Sequence, residues 1–193
     1  MKTIKTANTF HPVIDLIKNR WSPRSFFQEE IEQNDLDTIL EAASWAPSAN
    51  NEQPWHYIYA HRGTEGYETI KSALNPSNIA WAKDAGVLIA AIARKTFAAN
   101  DVTNRSAMHD LGMANSNLLL QALSMNIYGH LIGGFNNEKL TADLALTTDQ
   151  DVVCVIALGF LDVPEKLEEP LRGRETAARQ RKALEEFTTH LSS

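Results

Sequence analysis

DVVCVIALGF, residues 151–160, decides the fold. It is part of an unbroken apolar run, Val152 to Leu161, that is far shorter than the ~20 residues a bilayer span needs. It reads as a strand buried on both faces. Gly86–Ala93, with Val87, Leu88 and Ile89, reads the same way. Between the two, residues from Thr103 to Met125 form a long helix that is apolar or small on most sides (Met108, Leu111, Met113, Ala114, Leu118, Leu119, Leu120, Ala122, Leu123), and Asn126 and Gly129 end it. A helix apolar nearly all round belongs in a core or against a second subunit. Outward from these three elements, Trp55–Ala60 and Tyr128–Ile132 read as strands. Pro12–Lys18, a segment through Leu36, Ile39, Leu40 and Ala43 with Asn34 as its N-cap, Thr64–Leu74 and Asn137–Ala145 read as helices. Strands and helices alternate at irregular spacing, so the expected class is α+β rather than a doubly wound sheet.

The 193 residues are 44% hydrophobic and 22% charged, the mixture of one ordinary globular domain. No apolar stretch follows Lys2 and Lys5, so no signal peptide is expected, and a cytoplasmic protein is the default. Cys154 is the only cysteine, which rules out an intramolecular disulfide and a cysteine-rich zinc site. The net charge of −6 argues against general binding to nucleic acid or to acidic membranes. That charge is unevenly placed. Residues 1–28 hold five bases and one acid, and residues 172–182 again hold five bases and one acid. These two basic islands are either solvated surface or the two halves of a site for a small anion.

Four stretches can carry chemistry. In Arg20-Trp21-Ser22-Pro23-Arg24, Pro23 keeps Ser22 out of helical geometry, so the segment is extended. Residues 20, 22 and 24 then project to one side. Two guanidinium forks and a hydroxyl on one face suit a phosphate, although an exposed basic turn fits the pattern equally. Ala46–Trp55 is a stiff, polar, uncharged loop with Pro47, Pro54, Ser48, Asn50, Asn51 and Gln53. It offers hydrogen bonds to a heteroaromatic edge, or is a plain turn. Ile132-Gly133-Gly134-Phe135 lets backbone approach a planar ligand, or is a structural turn. Arg179-Gln180-Arg181-Lys182 could supply the other half of a phosphate clamp.

The chain has no G-x-G-x-x-G after a strand, no Walker A, no H-E-x-x-H and no G-x-S-x-G. Its six histidines show no metal-ligand spacing, so no metal is expected; His56 and His130 read as core residues and Cys154 as inert packing. With no obvious nucleophile and no poised acid–base pair, the balance favours chemistry carried by a bound cofactor.

In this order, RWSPRSF, APSANNEQPWHY, the long apolar helix leading to IGGF, the strand ending in ALGF and the final RQRKALEEF resemble the FMN-dependent nitroreductase family, over nearly the whole chain from Pro12 to Phe187. The resemblance implies an α/β sandwich whose central, mainly antiparallel sheet is flanked by helices. It implies a single domain over 1–193, with an N-terminal arm at about 1–11 and a C-terminal extension at about 162–193, forming an intertwined homodimer with FMN at the interface. Arg20, Trp21, Ser22 and Arg24, with Arg179 and Arg181, would hold the phosphate and the polar edge of the flavin. Pro47, Ser48 and Asn51 would approach the ring from the second subunit, Asn78 would bind the ribityl chain or ring, and Gly133 and Gly134 would give backbone contacts near N5 and O4. No side chain would be a catalytic acid or base. Arg24 would stabilise charge at N1–O2. NADH or NADPH would be the hydride donor and a nitroaromatic, quinone or similar small molecule the acceptor, in a ping-pong cycle. A flavin storage or sensor module with little turnover, a same-fold reductase of enals or halogenated aromatics, and a phosphate binder without flavin stay open. Two departures bear on substrate choice: no acidic residue stands at Gly133, and the segment between Ala93 and Thr103 is short.

Overall fold

The computed structural model describes residues 2–191, with the side chains of all but Lys2 and Thr3. Met1, Ser192 and Ser193, the ends of the expected arm and extension, lie outside the described residues. Chain order runs α1 (Lys2–Lys5), α2 (Asp15–Asn19), α3 (Gln33–Ser44), β1 (Trp55–His61), α4 (Glu65–Ser72), α5 (Pro76–Ala82), β2 (Val87–Arg94), α6 (Ala107–Ser124), β3 (Ile127–Ile132), α7 (Asn137–Asp143), β4 (Gln150–Phe160) and α8 (Leu171–Thr176). The four strands form one sheet in the order β1-β2-β4-β3, antiparallel throughout. The class is the expected α+β, with helices on both faces.

The two apolar runs occupy the central positions, β2 and β4, for a physical reason. A strand covered on both faces has no solvent side to place polar residues on. On one face Val87, Ile89, Ala91, Ile156 and Leu158 pack under α3 and α6. On the other, Leu88, Ala90, Ile92, Val155 and Ala157 pack under α4, α5 and α7, together with Trp21 and Phe26. A bulge at Ala91/Ile92 opposes Cys154 and Val152 and skips Val153. It therefore sends Cys154 to the first face and Val152 to the second, a reversal strict alternation would forbid.

Several local readings differ from the expectation. The helix expected over Pro12–Lys18 runs Asp15–Asn19, and Gly129, expected to end the long helix, lies inside β3. Asn34 does not cap α3: Glu32 holds the N-cap position and Asn34 lies in the first turn. The long helix begins at Ala107 rather than Thr103, because Thr103 bridges Thr96 and the Asn104 side chain accepts the Ser106 N–H at 3.0 Å, closing a turn first. Asn75-Pro76, read as the end of one helix, also starts the next, with Pro76 as the first residue of α5.

Candidate functional site

The first half of the site is the extended segment after α2. Arg20 ends that helix with extended backbone, its N–H donating to Leu16 O at 3.0 Å. From there burial alternates strictly. Trp21, Pro23 and Ser25 are buried, while Arg20, Ser22 and Arg24 are only half-buried. This is the one-sided display that Pro23 predicts. Trp21 turns its edge to Tyr128 at 6.4 Å between centroids and anchors the segment in the core.

The second half is α8 and the chain that follows. Glu175, fully buried, accepts the N–H groups of Arg24 at 2.9 Å and Ser25 at 3.1 Å through Oε1. Lys5 donates from Nζ to the carbonyls of Arg174 at 3.0 Å and Ala177 at 2.6 Å, and lies 4.9 Å from the Trp21 ring centroid. Arg179 donates from Nη1 to Lys5 O at 3.0 Å and Lys18 O at 2.8 Å. These bonds tie residues 150 or more positions apart and bring the two basic islands together. The result is a cleft of about 200 Å³ lined by Lys5, Arg20, Trp21, Ser22, Arg24, Arg174, Arg179 and Arg181.

No carboxylate lines this cleft. Among the described residues, none of its six cationic groups makes an ion pair. Arg20 is pushed below the ordinary arginine value by burial and by Arg181 beside it. Burial and then Arg20 and Arg181 do the same to Arg179. Arg24 is lowered by burial and, more weakly, by Arg174, against the opposing pull of Glu175. Lys5 is lowered chiefly by burial. The guanidinium groups keep their protons nonetheless. The arrangement is a cation cluster opposed by the single charge of Glu175, which does not line the cleft, and its donor set matches a phosphate.

Beside the cleft lies the end of β3. His130 donates from Nδ1 to Pro23 O at 2.9 Å and lies over Trp81 at 4.5 Å between centroids. Burial lowers its pKa to about 4, with Arg24 and Arg20 adding to the shift against the Pro23 carbonyl, so the ring is neutral. Just beyond, Gly134 O accepts from the Asn75 N–H at 3.0 Å and from the Asn78 amide at 2.9 Å. A Cβ on Gly134 would stand 2.7 Å from Asn78 Nδ2. Gly133 is exposed, and a Cβ there would meet nothing within 4 Å. A side chain at 134 would thus have to displace the Asn78 and Asn75 amides, whereas 133 leaves the backbone open.

The polar loop lies elsewhere in the protomer. It leads into β1, at the opposite edge of the sheet from β3, three strand spacings or ~14 Å away. It also follows α3, on the opposite face from Trp21 and Phe26. One copy therefore unites Arg20, Trp21, Ser22, Arg24, Arg179 and Arg181, places Gly133, Gly134 and Asn78 together, and leaves Pro47, Ser48 and Asn51 apart from both.

The profile of the Nitroreductase family matches residues 17–160. The chain belongs to that family. A family relative from Archaeoglobus fulgidus, named "Putative NADH dehydrogenase/NAD(P)H nitroreductase", is 28% identical over 76% of this chain and 84% of its own. A crystal structure described as an oxidoreductase containing FMN is 31% identical, covers 96% of this chain and 94% of its own, and superposes with a TM-score of 0.91. An FMN-dependent nitroreductase from Clostridium difficile R20291, 22% identical over 92% of this chain and 98% of its own, shares the fold with a TM-score of 0.68.

Lys5 and Arg174 line the cleft, and Glu175 holds the backbone that carries it, without belonging to any of the four motif stretches. Lys5 and Arg174 had a signal, since both sit in the basic islands. Glu175 had only its place as the single acid of the second island. His130 is packed as expected, but against the cleft's own backbone, whereas His56, also expected in the core, is exposed on β1. Cys154 is buried, with its thiol pushed up to about 11 by burial, in keeping with an inert core residue. Among the described residues no group of His, Cys, Asp and Glu could hold a metal, and no helix is long and apolar enough to cross a membrane.

Proposed function

We propose that this protein is an FMN-dependent NAD(P)H oxidoreductase that works as a homodimer, with nitroaromatics, quinones or similar electron-poor molecules as acceptors. The observation that carries this reading is the unpaired cation cluster. Six positive groups around a phosphate-sized cleft, with no lining carboxylate, call for a dianion. When bound, FMN would supply the hydride relay between the nicotinamide donor and the acceptor, which occupy one site in turn.

The chain's own groups bind, orient and set charge. Arg20, Arg179 and Arg181 would hold the phosphate through charge-assisted bonds, with the Ser22 hydroxyl as a further donor. Trp21 acts from the core by fixing the segment that carries them. Arg24 would put its guanidinium at the polar edge of the ring, where N1–O2 needs a positive neighbour. Asn78 and the open Gly133-Gly134 backbone would meet the ring's other polar edge.

A second copy would complete the site. Pro47, Ser48 and Asn51 lie toward the opposite sheet edge and the opposite face from the cleft in one protomer, so the partner would bring them. Apolar side chains left outside the core favour such an assembly: Ile14 just before α2, Ile17 on it, Trp45 after α3 and Met108 on α6 are all half or more exposed. The donor and acceptor classes are favoured by the names of the relatives.

The test is the absorbance spectrum of the purified protein, before and after anaerobic addition of NADH or NADPH. Retained flavin that bleaches with either nucleotide, and recovers its colour with a nitroarene or quinone, is the expected result. A colourless protein that takes up no FMN refutes the reading.

A further inference from the structure

The Pro47–Pro54 loop is strained. Asn50, Asn51 and Gln53 all have left-handed backbone, with φ of 56°, 54° and 52°. Asparagine tolerates this region; glutamine does so less readily. Such conformations last only where the surroundings over-determine them. Inside the loop, Asn51 N–H donates to Ser48 O at 3.1 Å and Gln53 N–H to Ser48 Oγ at 3.0 Å. Ser48 and Asn51 therefore move as one unit, and the position of that unit is set from outside.

The outside hold is a buried carboxylate. Asp110, 2% exposed, lies in the first turn of α6, where the helix N-terminus favours its negative charge. Its Oδ2 accepts the Ala49 N–H at 2.9 Å, between Ser48 and Asn51, and its Oδ1 meets His109 Nδ1 at 3.0 Å. Glu52 Oε1 provides a second, exposed tie by accepting the Ala98 N–H at 2.7 Å. At the loop's far end Pro54 O accepts the Arg94 N–H at 2.8 Å, and among the described residues the Asp110 bond is the hydrogen bond that joins residues 48–51 of the loop to the α3–α6 layer of the core. Among the described residues the Asp110 carboxylate has two partners, the Ala49 N–H and His109 Nδ1, and its neighbours Leu111 and Ala114 are ordinary core residues.

We propose that Asp110 is a positioning residue of the flavin site. Through Ala49 it fixes where Ser48 and Asn51 stand against the ring held by the partner's cleft. The proposal rests on the reading of this loop as the partner-supplied wall of the site. Asp110 itself touches no cofactor.

The test uses the full chain loaded with FMN, and reads the FMN dissociation constant by fluorescence quenching together with the visible absorption and circular dichroism of the bound flavin. Asp110→Ala is expected to weaken FMN binding about tenfold and to shift the flavin bands. Ala49→Pro removes the donor from the other side of the same bond. It suits that position, since Ser48 is extended and Ala49 opens a single 3₁₀ turn. It is expected to reproduce the Asp110→Ala effect, and the double variant to be no worse than either single one. If Asp110→Ala does not fold, Ala49→Pro decides alone. Wild-type affinity and spectra in Asp110→Ala and Ala49→Pro, with Asn51→Ala altered, would overturn the role of Asp110 and leave the loop assignment standing. Wild-type behaviour in all three, Asn51→Ala included, would overturn the partner-wall reading itself.

Discussion

Replacing Glu175 separates two things this residue does. Its Oε1 accepts two backbone N–H groups, from Arg24 at 2.9 Å and Ser25 at 3.1 Å, and Ser25 is 2% exposed. Its charge also lies among Lys5 and Arg24, which it steadies. Glu175→Ala leaves both donors in a buried place without a partner, at roughly 1–3 kcal/mol each. The expected loss is therefore about 2–6 kcal/mol, a large share of the ~5–15 kcal/mol typical of a folded domain. Set against this is the cost the native residue already carries: Oε2 is buried and has no hydrogen-bond partner. Glu175→Gln keeps an acceptor and sheds the charge, so it should lose only about 1–2 kcal/mol. It should hold FMN as tightly as wild type or tighter, because a negative charge beside the phosphate has gone. Burial raises the Glu175 pKa above its ordinary value, against the two N–H groups and the nearby cations. The folded protein therefore binds a proton that the unfolded chain has released. The stability owed to this group is fullest below the unfolded value of ~4.3 and falls as pH rises through the folded one. The difference in stability between wild type and Glu175→Gln should follow that course. Denaturant unfolding across pH 3–8, with FMN titration of each variant, reads all three effects. Glu175→Ala with wild-type stability and undiminished flavin would refute the claim that this carboxylate pins the cleft.

Arg20→Ala and Arg181→Ala should each weaken FMN retention by about 10–100-fold, the worth of one charge-assisted contact of ~1.5–3 kcal/mol; variants that stay fully yellow through extensive dialysis would refute the phosphate assignment. Gly134→Ala should destabilise the fold, because its Cβ would meet Asn78 Nδ2 at 2.7 Å, whereas Gly133→Ala should fold as wild type; equal thermal midpoints for the two would contradict the packing argument. The His130 ring should titrate near pH 4 by NMR, and because the folded state holds that proton less well than the unfolded chain, its contribution to stability should rise with pH from about 4 to about 6.5. An inflection near 6.5 in the folded protein would show the ring is not held neutral by burial and the two arginines.

Local chemistry was legible in the sequence, and long-range closure was not. Pro23 alone fixed which side of residues 20–25 carries the cations, because a residue before proline must be extended and an extended chain alternates. Uninterrupted apolar runs fixed β2 and β4 for the same kind of reason. Asn34 shows the limit even nearby: a good capping residue lost the position to Glu32 because Gln33 is drawn in, its amide donating to Asp37 Oδ1 at 2.7 Å and to Tyr59 OH at 3.0 Å. Asp110 and Glu175 were beyond reach, since each acts on backbone N–H groups 61 and about 150 positions away, and no composition or spacing records such a partner. What the charge count did offer was two basic islands with no stated relation, and the physics of their meeting is the stronger argument for function. Like charges repel, so folding by itself gains nothing by gathering Lys5, Arg20, Arg24, Arg174, Arg179 and Arg181 around one small cleft. The fold gathers them all the same. It spends a fully buried carboxylate and four donations from Lys5 and Arg179 to backbone carbonyls on the task, and it leaves Arg20, Arg24 and Arg179 all shifted against their charged state. A dianion bound in the cleft would relieve those costs, since its charge would offset the mutual repulsion of the cations and its oxygens would accept their free N–H donors.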